Sequence, residues 1–305
     1  MPSILFIAYG GGHVAMLAPV ARELIALGRP VTFIALTTGR AVLEGLGIPA
    51  VGFSDLPEGI ESDALSWGQE LAKDLPPGGP VSIEESIAYL GASFRDLVDE
   101  YGETEAKQRY LEAGRHAFLP TSTMRRVIKR LAPGLVVATS SPRAERAAIL
   151  AAAQVGIPSI CVVDLFALQE VQWIGQFGFG TRVCVLNESV REMFLARGRR
   201  PEEVVVTGNP AFDRLKAPET VLAGFNLRQA RGWNDGKKIV LWASTIEPER
   251  HPFNDLLGDP NLPRLVETQL REIVASDTNL RLVVRYHPNE RVVFKRVSEF
   301  LCKRS

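Results

Sequence analysis

Apolar positions along this chain alternate between two patterns. Short, mostly apolar runs have the signature of buried strands: Ile4 to Ala8, five apolar residues in a row, reads as a strand covered on both faces, and Pro30 to Leu36 and Ile157 to Val163 as further strands. Between them lie longer stretches with helical spacing, the first from Val14 to Leu27 and stopped at Gly28. The opening is therefore a βαβ unit. Further strands are predicted at Ile48 to Phe53, Gly134 to Ala138, Thr181 to Leu186 and Glu203 to Thr207. Helices are predicted at Ala64 to Leu75, from a capping box of Ser82 and Glu85 to Tyr101, at Thr104 to Phe118, at Thr121 to Leu131, and at Ser189 to Arg197. Another begins within Thr139-Ser-Ser-Pro-Arg-Ala-Glu-Arg146, its hydroxyls at the cap.

This alternation predicts an α/β fold with a parallel sheet, interrupted by a helical excursion over residues 55–131 of the kind that often covers a pocket. After Thr207-Gly-Asn-Pro210 the pattern restarts with a helix from Leu222 to Trp233 and a strand from Ile239 to Ala243. A Pro-rich loop, a helix to Ala275, a strand from Leu280 to Tyr286 and a last helix complete it. This second series is short for a full domain, which runs to roughly 100–150 residues.

Composition adds limits. With 305 residues, 46% hydrophobic and 23% charged, the chain can bury two ordinary cores, and its formal net charge of zero gives no global pull toward nucleic acid. Cys161, Cys184 and Cys302 are isolated, which fits reduced structural thiols. The N-terminal apolar run is too short for a secretory signal, and no run approaches the roughly 20 residues of a membrane span. A soluble, cytoplasmic protein is expected, with peripheral membrane contact left open.

The candidate chemistry sits at strand ends. Gly10, Gly11 and Gly12 open the first helix, where backbone N–H groups and the helix dipole favour an anion, and His13 stands at the mouth as a helix cap or a catalytic base. No acidic residue ends the second strand, which disfavours NAD and leaves Arg40 as the remaining argument for NADP. Asp164 ends a strand with Glu170 six residues on, and either carboxylate can serve as a base or a plain cap. Asn209 binds its own turn or a ligand. Arg285 and His287 follow a strand end, where a guanidinium and an imidazole suit a diphosphate, and Ser244 and Thr245 hold the equivalent place on the preceding strand. Arg125, Arg126, Lys129 and Arg130 form a basic cluster, read as a solvated face or an anionic docking surface.

Taken together, Gly10 to His13, the segment Val204 to Leu215 containing Thr-Gly-Asn-Pro, and Arg285-Tyr-His-Pro288 resemble the GT-B nucleotide-sugar superfamily. The nearest likeness is to UDP-GlcNAc 2-epimerases and capsule- or teichoic-acid-type glycosyl and glycerophosphate transferases. The resemblance implies two facing Rossmann-like domains, an acceptor-side one at 1–212 and a donor-side one at 213–305, the latter incomplete because the family's later ribose-binding segment has no counterpart. It implies a metal-independent enzyme with no cofactor beyond a nucleotide-sugar substrate. The leading expectation is a glycosyltransferase acting on a glycan or glycolipid acceptor. The alternatives are a 2-epimerase-like enzyme and an inactive binding module.

Overall fold

A computed structural model describes residues 2–76, 78–250 and 256–287. The chain divides into two compact units, Met1–Arg214 and Leu215–Ser305. Unit 1 holds six parallel strands, β1 (Ile4–Tyr9), β2 (Val31–Leu36), β3 (Leu135–Thr139), β4 (Ser159–Val162), β5 (Arg182–Val185) and β6 (Val204–Val206), in the order β2-β1-β3-β4-β5-β6. Its helices are α1 (Gly10–Ala26), α2 (Gly39–Gly45), α3 (Ser62–Ala72), α4 (Ile83–Tyr101), α5 (Glu103–Ala113), α6 (Thr121–Leu131), α7 (Ala144–Val155), α8 (Val171–Ile174) and α9 (Glu188–Ala196). The chain leaves β1 toward β2 on one side and later returns to place β3 on the other. In such sheets the loops diverge at that point and leave a crevice at the strands' carboxyl ends.

Alternation along β1 feeds two cores. Leu5 and Ile7 face Val136 and Ala138 on one side, while Phe6 and Ala8 pack with Phe33, Ala35, Val14 and Leu17 on the other. Cys161 lies in the first core and Cys184 packs against the second; burial pushes both thiols up, so they stay protonated and inert. Cys302 lies outside the described residues. Among the described residues no helix is long and apolar enough to cross a membrane.

Several sequence expectations are corrected. The strand predicted over Ile48 to Phe53 shrinks to one bridge, Val51 to Ile34. Pro49 has no N–H to give, and the Glu85 carboxylate takes the N–H groups of Phe53 and Ser54, each at 2.9 Å. The same contact leaves the capping box half made: Ser82 Oγ accepts from Glu85 N at 3.2 Å, but the Glu85 side chain points to residues 53 and 54 instead of back to Ser82. The glycines predicted as a loop before the first helix are its first turn. The helix over Thr104 to Phe118 ends as an α-helix at Ala113, where Gly114 turns at φ +55°. Thr139, Ser140 and Ser141 do not cap α7, which starts after Arg143 with no side-chain cap. Ser140 Oγ accepts instead from Asp164 N at 3.1 Å, tying the ends of β3 and β4 together.

Unit 2 contains α10 (Pro218–Ala230), β7 (Lys238–Ala243), α11 (Leu262–Ser276) and β8 (Leu280–Arg285). The two strands pair in parallel from Lys238↔Leu280 to Ala243↔Arg285. Pro263 alone is fully buried among this unit's described residues. Its last predicted helix lies outside the described residues.

Candidate functional site

The carboxyl ends of β1, β3 and β4 carry most of the candidate residues of unit 1. Gly10 takes φ +56°, which favours glycine, and a Cβ on Gly11 or Gly12 would meet nothing within 4 Å. A ligand group can therefore approach the α1 backbone closely. Tyr9 caps this helix without a side-chain bond and no acid stands in the first turn, so His13 is not its cap. His13 is half-buried, with Nδ1 enclosed and without a hydrogen-bond partner among the described residues. Burial holds its pKa below the ordinary imidazole value, while the charges of Asp164 and Glu170 pull the other way. The fold thus brings His13, Asp164 and Glu170, proposed separately from sequence, within electrostatic reach of one another.

The loop that carries the two acids is strained, since Leu165 and Ala167 both adopt left-handed φ values of 40° and 46° without being glycine. Such backbone persists only where the surroundings enforce it, and it concentrates at functional sites. Glu170 precedes α8 without capping it by its side chain. An imidazole within electrostatic reach of two carboxylates suits proton transfer. Among the described residues, no three His, Cys, Asp or Glu side chains are placed to hold a metal ion.

Sequence reasoning missed a second ring of residues. Arg143 lies over the Tyr9 ring at 5.0 Å from its centroid, and Arg146 over Trp173 at 5.1 Å. Glu145 is fully buried beneath them, accepting from Thr139 Oγ1 at 3.4 Å while its Oε2 has no partner. Burial raises its pKa to about 7, and hydrogen bonds that favour the carboxylate offset this only in part. Gln169 Oε1 and Trp173 Nε1 are likewise enclosed without partners. The sequence shows Arg-Ala-Glu-Arg separated by three residues from the end of a buried strand, but the rings that hold the two arginines come from distant segments.

The other candidates lie elsewhere. Asn209 is buried and its Oδ1 accepts from Ala211 N at 2.9 Å, so it binds its own turn. It lines a cavity of about 440 Å³ against Pro19, Val20 and Glu23 of α1, whose lining includes neither His13 nor Asp164. In unit 2 the strand register sets Ser244 beside Arg285, with Ser244 N donating to Arg285 O at 2.9 Å. Ser244, Thr245, Arg285 and His287 thus share one end of a two-stranded sheet, with Arg285 exposed. Arg40 is held by Glu44 and Asp55 at 2.9 and 2.7 Å, which removes the remaining argument for NADP.

The class of fold follows from solved structures: the chain has a GT-B-like α/β fold. The particular neighbours are UDP-GlcNAc 2-epimerases and a related UDP complex. S. aureus MnaA bound to UDP aligns over 97% of this chain and 66% of its own, with TM-score 0.53 and 15% identity. The Methanocaldococcus jannaschii UDP-GlcNAc 2-epimerase aligns over 99% and 70%, with TM-score 0.52 and 14% identity. The Neisseria meningitidis enzyme, bound to UDP-GlcNAc, aligns over 94% and 66%, with TM-score 0.51 and 14% identity. This chain therefore spans about two thirds of their length. No family model and no curated protein matches its sequence.

Proposed function

We propose that the chain processes a nucleotide sugar in the manner of a UDP-GlcNAc 2-epimerase, with His13, Asp164 and Glu170 of unit 1 as the residues that act on the sugar; taken by themselves, Arg285, His287, Ser244 and Thr245 of unit 2 are a set suited to a diphosphate. The observation that carries this reading is the half-buried His13 at the glycine-opened start of α1, its Nδ1 enclosed without a partner, within electrostatic reach of Asp164 and Glu170 from another loop. Inverting a carbon that bears hydrogen requires one group to remove a proton and another to return one to the opposite face. Next to the diphosphate-bearing carbon the released electron pair can form a C=C bond as the C–O bond to the diphosphate breaks, and be returned to the incoming proton when the diphosphate adds back. His13 is suited to take up the first proton, with Asp164 or Glu170 the group left to return one. The reading calls for no separate cofactor.

Incubation with UDP-GlcNAc and no acceptor, in deuterated water and followed by proton NMR, tests it. The expected result is deuterium at the inverted carbon. Intact binding without acceptor-free turnover would overturn the epimerase reading in favour of transfer to a glycan or glycolipid. Absence of binding to any UDP, CDP or CMP sugar would remove the nucleotide-sugar reading altogether and leave a binding module. Within this reading, Arg285→Ala weakens UDP binding by about 1.5–3 kcal/mol, the range for a charge-assisted hydrogen bond, as calorimetry will report.

A further inference from the structure

Arg143 directly precedes α7 with non-helical backbone, and Arg146 lies in the first turn of that helix. Neither side chain forms an ion pair or hydrogen bond with a described residue; each guanidinium instead lies over an aromatic ring, Tyr9 or Trp173. A ring engages the face of a guanidinium, and its N–H donors, which lie in the plane, remain to be used. In both arginines the Nε–H is enclosed without a partner. Burial depresses Arg146, and the buried Glu145 lies within electrostatic reach of Arg143.

The supporting rings fix the location. Tyr9 directly precedes the glycine turn that carries His13, and Trp173 lies three residues beyond Glu170. Enclosed donors and acceptors without partners are rare in native folds, and here His13, Arg143, Glu145, Arg146, Gln169 and Trp173 supply one each around the same strand ends. Elsewhere in unit 1, Arg95, Arg126, Arg130 and Arg199 are matched by acids. Two stacked guanidinium groups held beside an acid–base cluster, with their donors unspent, form a receptor for a planar or tetrahedral oxyanion.

We propose that Arg143 and Arg146 recognise an anionic group, a carboxylate or phosphate, carried by the sugar processed at His13, so that the substrate class is an acidic sugar. As a statement about substrate this rests on the nucleotide-sugar reading, whereas the anion site itself does not. The diphosphate, assigned above to unit 2, is not the anion meant.

The test is calorimetric titration of the whole chain with glucuronate, glucose 6-phosphate, glucose and, separately, UDP. At least one acidic sugar should bind about tenfold or more tightly than glucose, as expected for a charge-assisted bidentate contact. Which one it is separates carboxylate from phosphate. Arg143→Gln with Arg146→Gln should abolish that preference and leave UDP affinity unchanged. Arg143→Lys, which keeps the charge but not the fork, should retain part of it and guards against a misfolded double variant. Equal binding of all three sugars by the unaltered protein, or a preference that survives the double substitution, overturns the inference. Loss of UDP binding with the anion preference intact would instead sink the nucleotide reading and spare the site.

Discussion

Two polar regions of unit 1 use the same residue types to opposite ends. In the helical excursion, Arg95 reaches Glu61, the Glu58 carbonyl at 3.3 Å and Thr123 Oγ1 at 3.2 Å, while Arg130 grips Glu58 through two contacts of 2.8 Å. Asp96 accepts from Thr123 twice at 2.7 Å. At the strand ends, His13, Arg143, Glu145, Arg146, Gln169 and Trp173 each keep an enclosed polar atom without a partner. A structural network closes on itself because an unmet buried group costs about 1–3 kcal/mol. A cluster that leaves such groups open bears that cost in the free protein, and a ligand that meets them recovers it. The charged side chains of the excursion are satisfied and those at the strand ends are not, although Tyr89 and Ser93 on α4 also keep enclosed hydroxyls without partners.

The largest effect should come from the closed network. Arg95→Ala removes a side chain only 6% exposed and breaks its contacts with α3, α6 and the loop before α3, so stability should fall by about 3–5 kcal/mol in denaturant unfolding. Substrate turnover per folded molecule should change little. His13→Ala should do the reverse. It lowers turnover about 100-fold or more with nucleotide affinity nearly intact, while the melting temperature holds or rises, because no cap bond or other partner is lost. Unchanged turnover in that variant would remove the catalytic assignment.

The sequence exposed the frame more readily than the network. Buried strands with unbroken apolar runs and helices with clear stops, such as β1, β4 and α6, were legible because period and length agree. The segment Ile48 to Phe53 was not, since its apolar run is strand-like while the N–H groups at its end, those of Phe53 and Ser54, answer to Glu85, 32 and 31 residues away. His13, Asp164 and Glu170 were visible individually as polar residues at strand ends. Arg143 and Arg146 were not, because the rings that hold them come from β1 and from α8, and no local pattern records that. The basic cluster of α6 was misleading for a similar reason: its charges looked available, yet Arg126 and Arg130 are engaged by Glu61 and Glu58.

Glu145 gives an intermediate effect, and its sign runs against the usual carboxylate. Its folded pKa is raised from the ordinary 4.5 to about 7, so the folded state binds the proton more tightly than the unfolded chain. This contribution is therefore neutral below about pH 4.5, becomes increasingly destabilising as pH rises toward 7, and is constant above that. The loss amounts to about 1–3 kcal/mol. Glu145→Gln mimics the protonated form, so its unfolding free energy should exceed that of the unaltered protein above pH 7, and the two should converge near pH 4. Parallel pH profiles would show that Glu145 does not titrate in the folded state as argued.

The smallest effect should come from Arg126→Ala, and it tests whether closure or mere pairing matters. Arg126 holds Glu61 at 2.7 and 2.8 Å, geometry as good as that of Arg130 on Glu58. The difference is exposure: the Arg126 and Glu61 side chains are 37% and 40% exposed, whereas Glu58 is 6% exposed. Water replaces a lost partner in the first case and cannot in the second. Glu61 also keeps its contact with Arg95. Arg126→Ala should therefore change stability by only about 0.5 kcal/mol, the range of a surface pair, while Arg130→Ala, which strands a buried carboxylate, should cost about 2 kcal/mol or more. If denaturant titration finds equal losses, ion pairing alone stabilises the excursion, and the distinction between a closed scaffold and an open site would have to rest on the ligand measurements alone.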